Sequence, residues 1–339
     1  MPFDPALDEE ESQQITGDEP VAERLLKIAE FEGNLAAEID EKQRILLGQE
    51  ATQEAQLDEA DRREWKEGFE RAVKAAKQKP EKKNYPFERS ANIQYPILTS
   101  AAIQFGSRAY GAITRGDQPM TCKVAGDDPD GLKALRAARV TRFTNHQLMH
   151  ETDEWETGTD QLLHRIPIGG SAFRKTYWSR QLSRPVSEYT SPMKVTLPMD
   201  APSMERAPRV SEPCIYYPHE IRQRIKSGYW LNHEFENQSD DEDKQASVQY
   251  LEQHRYFDLD GHGLDEPYIV TVHKPTDQVV RIDAAFYADS LAISGFGDVQ
   301  HVQRESPLTA YTFLPSLDEE YGVYGMGFGQ LLESLGDAI

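Results

Sequence analysis

The sequence predicts an α+β protein: a mostly helical first half, an antiparallel β-rich second half, and a last segment that opens one more helix. Three observations carry this. Up to about residue 165, apolar residues recur at spacings of three and four, the period of a helix buried on one side. From Ala172 the period falls to two and aromatic and β-branched residues concentrate, as in strands. Prolines and glycines stand where the pattern changes, at Pro80, Pro96, Pro167, Gly169-Gly170 and Gly228. The expected organisation is a disordered acidic N-terminus over 1–19, helices over 20–83, an α+β domain over 84–317 with an acidic linker at about 236–246, and a glycine-rich turn with the start of a helix over 318–339.

Each element has a local cause. Positions 21, 25, 28, 32, 35, 39, 42 and 46 are Val, Leu, Ile, Glu, Leu, Ile, Lys and Leu, so one stripe of a long helix packs against a partner or the rest of its domain. Asp58 is expected to open a second helix, with Trp65, Phe69 and Val73 on one face and Pro80 as its end. The segment 84–92 (NYPFERSAN) reads as a loop. Pro96 then starts a helix over Ile97–Thr114, apolar and small from Ala101 to Ile113, whose one charge expected to be buried is Arg108. Two further helices are expected at about Gly131–His150 and Glu154–Arg165. Strands follow at Ala172–Ser179, Val186–Tyr189, Met193–Leu197 and Arg209–Tyr217. Pro218 begins a short helix that Gly228 stops. Arg255–Leu259, Tyr268–His273 and Val279–Ile282 form a meander, with turns at Asp260-Gly-His-Gly263 and Lys274-Pro-Thr-Asp277.

Composition excludes several classes of function. The chain has 339 residues, with 58 Asp+Glu against 37 Lys+Arg and a net charge of −21, so it lacks the clustered cations that coat nucleic acid. The acids gather at 1–70 and 234–266, and the rest is near neutral. A basic stretch, Arg71 to Lys83, reads as a solvated helix end. Two cysteines, Cys122 and Cys214, make neither a disulfide scaffold nor a four-cysteine zinc site, and suit a reducing compartment. Neither a spanning helix nor a signal peptide is legible, so a chain that is soluble and intracellular when made is expected.

Candidate chemistry fails one requirement at a time. The pairs His150-Glu151, His219-Glu220 and His233-Glu234 lack the following histidine, one turn on, of a zinc hydrolase. Asp258 and Asp260 alternate as cation ligands do, with Asp265 close behind, but the loop is short and has no closing bidentate glutamate, so an Asx-turn between strands is the simpler reading. The run Gly322 to Gly329 resembles a phosphate cradle without its lysine, and a tight packing turn is preferred. No nucleophile elbow is present. No catalytic, cofactor-binding or metal residue is assigned.

Several stretches nevertheless resemble one family, the portal proteins of tailed bacteriophages, in particular the large portals of short-tailed phages. They are Pro86-Phe87 with Ala91-Asn-Ile-Gln-Tyr-Pro96 and the helix through Gln104, Phe105 and Arg108; Asp160-Gln-Leu-Leu163 through Ile166-Pro-Ile-Gly-Gly170 to Phe173-Arg-Lys-Thr-Tyr177; Tyr256-Phe-Asp-Leu-Asp-Gly261, then Glu266 to Thr271 and Val280-Arg-Ile282; and Tyr324-Gly-Met-Gly-Phe-Gly-Gln-Leu-Leu332. Their shared order carries the resemblance, over roughly 84–332.

The resemblance implies a structural, non-enzymatic protein without cofactors. Its place would be a homo-oligomeric ring of about twelve subunits at one capsid vertex of the virion, the head–tail connector for DNA packaging and genome ejection, and the host cytoplasm during assembly. It also implies partners: the packaging ATPase (terminase), scaffolding and coat proteins, tail or head-completion proteins, and double-stranded DNA passing without sequence specificity. No membrane partner is implied. Portals of this type continue well past the glycine-rich turn, so the sequence reads as the wing-rich N-terminal part, ending at a stem-type helix. An acidic lining suits such a role, because each fixed cation would brake sliding DNA. The alternative is a metal-dependent enzyme acting on nucleic acid through Asp258, Asp260 and Asp265.

Overall fold

A computed structural model describes residues 20–77, 96–114, 116, 118–179, 182–235, 246–259, 261–294, 299–317 and 322–332. The expected α+β class holds, with helices leading and antiparallel sheets following. In chain order come α1 (Val21–Glu30), α2 (Glu41–Asp61), α3 (Arg63–Lys77), α4 (Ile97–Thr114), α5 (Leu132–His146) and α6 (Asp153–Gly169). Then come β1 (Ser171–Ser179), β2 (Arg184–Thr190), β3 (Arg209–Tyr216), α7 (Pro218–Lys226), β4 (Val248–Phe257), β5 (Glu266–His273) and β6 (Gln278–Ala284). The last elements are β7 (Leu291–Ile293), β8 (Val299–Val302), β9 (Leu308–Thr312) and α8 (Phe328–Leu331). They form two compact units that interleave along the chain, one over 1–59 and 208–306, the other over 60–207 and 307–339.

The first unit is built on the antiparallel sheet β3-β4-β5-β6. Leu25 and Ile28 of α1, Leu35 and Ala51 pack with Leu251, Tyr268, Val270, Val272, Val279 and Ile282 in one core. Ile221 of α7 and Trp230 gather Tyr250 and Val280 into a second. The edge strand β6 is tied down by Asn34, whose amide donates to Val280 O at 2.9 Å and accepts from the Ile282 and Ala36 amides. That bond set explains a departure from the sequence reading. The stripe from Val21 to Leu46 is not one helix: the chain leaves α1 at Phe31, turns through a short 3₁₀ segment at Leu35–Ala37, and begins again at Glu41. Leu46 consequently faces away from the core, at 65% exposure.

Asp58 opens no helix. It lies within α2, buried, and accepts two bonds from the Arg209 guanidinium at 2.7 and 2.8 Å. Glu50, Glu54 and Asp58 recur every fourth residue and so share a face, where Arg209 and Arg255 meet them. Burial pushes the Glu54 carboxyl up, opposed by Arg255 and Arg209.

The second unit holds the sheet β2-β1-β9 with α6 packed on it. β1 and β2 form a hairpin, with Phe173 opposite Thr190 and Ser179 opposite Arg184. Pro167 does not end α6, which continues to Gly169 and stops at Gly170 with φ of 88°, the left-handed cap that glycine supplies without strain. Met193–Leu197 is not a strand. Fully buried Arg62 donates to the carbonyls of Pro192, Met193 and Val195 at 2.8–2.9 Å, and acceptors held this way are withdrawn from a strand ladder. The expected features at Pro80, 84–92 and 236–245 lie outside the described residues.

Candidate functional site

The turn after β4 tests the cation reading directly. Asp258 accepts from the amides of Gly261 at 2.7 Å, His262 at 3.1 Å and Gly263 at 2.7 Å, with both glycines at positive φ. Its carboxylate is therefore spent on the turn, as in an Asx-type loop. His262 bridges inward, 3.5 Å from Asp258 and 3.5 Å from fully buried Glu266. Asp265 points outward and Asp260 lies outside the described residues. Among the described residues, no three histidine, cysteine, aspartate or glutamate side chains are grouped to hold a metal ion.

The three His-Glu pairs separate. His219 is exposed and stacked on Tyr217. His150 pairs one turn back with His146, a four-residue spacing present in the sequence; their ring centroids are 5.1 Å apart and His146 Nδ1 lies 3.4 Å from Glu151. His233 is buried, with one ring nitrogen 3.0 Å from Leu231 O and the other 2.7 Å from the Tyr250 hydroxyl. The carbonyl can only accept, so Nδ1 carries the proton and the tyrosine donates to Nε2. Beside them His273 is fully buried against Thr276 Oγ1 at 2.6 Å, and burial and His233 lower its pKa to about 4. Burial also holds His233 down and the Tyr250 phenol up. Burial thus favours the neutral forms of both imidazoles and of the phenol.

The glycine run is filled by protein. A Cβ on Gly325 would stand 2.3 Å from Thr312 Cγ2, one on Gly327 would stand 2.5 Å from Ile168 O, and one on Gly329 would stand 2.1 Å from Ala72 Cβ. The Gly325 amide donates to Ser171 Oγ at 2.7 Å, and Met326 bonds to Leu314 O at 2.8 Å. The segment is a packing turn in which these glycines lie against protein where a side chain would stand. Arg108, expected to be buried, is exposed. On α4 it stands two residues, about 200°, beyond Gly106, which with Leu98 and Ala102 makes the buried face.

Among the described residues of the second unit, α5 is largely exposed. Only Asn145 of its residues is buried. Asp128 caps its start by accepting from the Lys133 and Ala134 amides. Asn145 clamps Met120 N and O at 3.0 Å and Thr141 accepts from the Cys122 amide, laying 120–122 along its inner side beside a groove of about 610 Å³. Its outer side carries Leu132, Leu135, Val140 and Phe143, the last 62% exposed, among Lys133, Arg136, Arg139 and Arg142. Composition alone signalled this: α5 has four bases and no acid in a chain of net charge −21. An exposed apolar and charged helix face of this size suits contact with another macromolecule rather than catalysis.

Comparison of the chain with protein-family models gives no match, and neither does comparison with curated proteins.

Proposed function

We propose that this chain is a structural subunit of a phage portal, the ring at one capsid vertex through which DNA is packaged and later ejected. One observation carries the reading. Two stretches of the resemblance, 166–170 and 324–329, are about 150 residues apart in sequence yet interlock so closely that a Cβ on Gly170 would stand 2.4 Å from Gly325 O. Stretches that carry the resemblance and also pack on one another in space support a reading of them as framework residues. A third stretch supplies adjoining parts of β4, β5 and β6 at the centre of the other unit.

The charge balance agrees with a conduit that lets DNA slide. Partners under this reading are further copies of the chain, terminase, scaffolding and coat proteins, and tail or head-completion proteins. The metal-dependent alternative gains nothing from Asp258, whose carboxylate is engaged by three backbone amides. Negative-stain microscopy of the complete gene product tests the proposal. Rings with a central channel support it. A dispersed monomer that cleaves DNA when magnesium is added would replace it with the alternative.

A further inference from the structure

We infer that residues 229–235 form a strap that closes over the β3-β4-β5-β6 sheet near neutral pH and is released in mild acid, with His233 and His273 as the trigger. The inference is independent of the ring reading and concerns the first unit alone.

The strap follows α7 past Gly228 and runs beside the edge strand β6. There the Leu231 amide donates to Val280 O at 3.0 Å and Arg281 donates to Tyr229 O at 2.8 Å. Trp230, His233 and Phe235 are buried, with Trp230 and His233 ring against ring on Tyr250 of β4. His233 bonds the strap to the sheet through the Tyr250 hydroxyl at 2.7 Å. His273 stands opposite Tyr250 on β5, fully buried, its ring centroid 5.1 Å from the rings of both His233 and Tyr250.

The hydrogen bonds leave no place for a further proton while the strap is closed. His233 Nδ1 already donates to Leu231 O, so a second proton sits on Nε2 and takes the lone pair that the Tyr250 hydroxyl uses. The phenol hydrogen is then turned toward a core of Ile221, Trp230, Phe235 and Val280. His273 has Thr276 Oγ1 at 2.6 Å on Nδ1, and its buried Nε2 has no partner. Protonated, it leaves an N–H without an acceptor beside the other imidazole, and two cations at that separation repel.

The neighbouring charges are engaged elsewhere or lie in water. Arg224 of α7 covers the Tyr216 and Trp230 rings at 4.3 and 5.2 Å, and Arg281 of β6 covers Tyr229 at 3.8 Å and pairs with Asp283. On β4, Glu252 takes His254 at 3.3 Å and lies opposite Glu212 of β3. Glu234 and Lys274 are exposed. Asp277 sits against Gly48 of α2, on the side of the sheet that Val272 faces and His273 does not.

With the strap lifted, both rings meet water and titrate near 6.5. With it closed, His273 titrates at about 4 and His233 is also held down. Protons therefore favour the open form below 6.5, and His273 alone raises its population about thirtyfold at pH 5. Both β4 and β5 are paired along both sides, so the strap is the part that yields.

Hydrogen exchange of the complete gene product at pH 7.5 and 5.0, with each rate corrected for the intrinsic rate at that pH, tests this. Protection of the amides of 230–233 is expected to fall at least tenfold relative to those of 251–255 and 269–272. His233→Gln with His273→Phe should abolish that fall. Carbon-13 NMR of labelled histidine in the parent gives a reading that needs no variant: both rings should gain their protons over the pH range in which the strap opens. Strap protection that keeps its ratio to the sheet at both pH values overturns the inference, as does loss of strap and sheet protection together. Rings that stay neutral while the strap opens, or a fall that persists in the double variant, overturn the histidine trigger.

Discussion

Replacing Arg62 by methionine probes the most concentrated polar device in the second unit. The guanidinium is 1% exposed and donates to three carbonyl oxygens, at 2.8, 2.8 and 2.9 Å. A net worth of about 1.5 kcal/mol for each bond from a charged donor puts the gross loss near 4–5 kcal/mol. Methionine also removes the cost of burying the charge, which brings the expected destabilisation to about 3–4 kcal/mol. For a unit of this size that is a fall in Tm of about 10 °C. Urea titration with hydrogen exchange, read on the amides of α3 and of 193–196, gives the free energy directly. Arg62→Lys should recover less than half, because an ammonium lacks the planar fork that reaches three acceptors at once. A loss below about 1 kcal/mol for Arg62→Met would refute the claim that this side chain holds 192–195 in place of a strand ladder.

The remaining predictions concern other parts of the molecule. Asp258→Ala should cost about 2 kcal/mol by releasing three backbone amides, and calcium or magnesium should shift the Tm of neither variant nor parent; a cation-dependent rise in the parent would revive the metal reading. His273 titrates near 6.5 when unfolded and at about 4 when folded, so the unfolded chain takes up the extra proton and stability falls as pH drops through that window, by about 3 kcal/mol in full. His273→Phe should flatten the dependence of stability on pH between 7 and 5, and an unchanged slope would count against the buried neutral imidazole. Gly325→Ala should destabilise by about 2–3 kcal/mol through its contacts with Thr312, Leu314 and Gly170. Gly111→Ala, with nothing near its added methyl, should instead stabilise α4 by up to about 1 kcal/mol, and equal effects at the two sites would contradict the packing described.

What the sequence revealed and what it concealed divide along physical lines. Local signals transferred well. The strand alternation from Ala172, the turns with Gly261 and Gly263 at positive φ, and Pro218 at the first position of α7 are set by neighbours in the chain. Long-range capture was illegible. Met193-Lys-Val-Thr-Leu197 alternates like a strand, and only Arg62, some 130 residues earlier, diverts its carbonyls. The fourfold spacing of Glu50, Glu54 and Asp58 was visible as acid, but not as one face of a helix meeting Arg209 and Arg255. Arg108 was placed inside because the helix around it is apolar; its face is settled by the angle to Ala102 and Gly106, which only α6 decides. The outer face of α5 was legible as four bases without an acid, yet a basic run read alone does not reveal that its leucines and phenylalanine stay uncovered.

Native mass spectrometry of the complete gene product, with the mass of the assembly and of its subunit read in one run, tests the central claim most directly. The portal reading predicts a closed assembly of about twelve identical subunits that persists on dilution. A monomer at every concentration examined would contradict it.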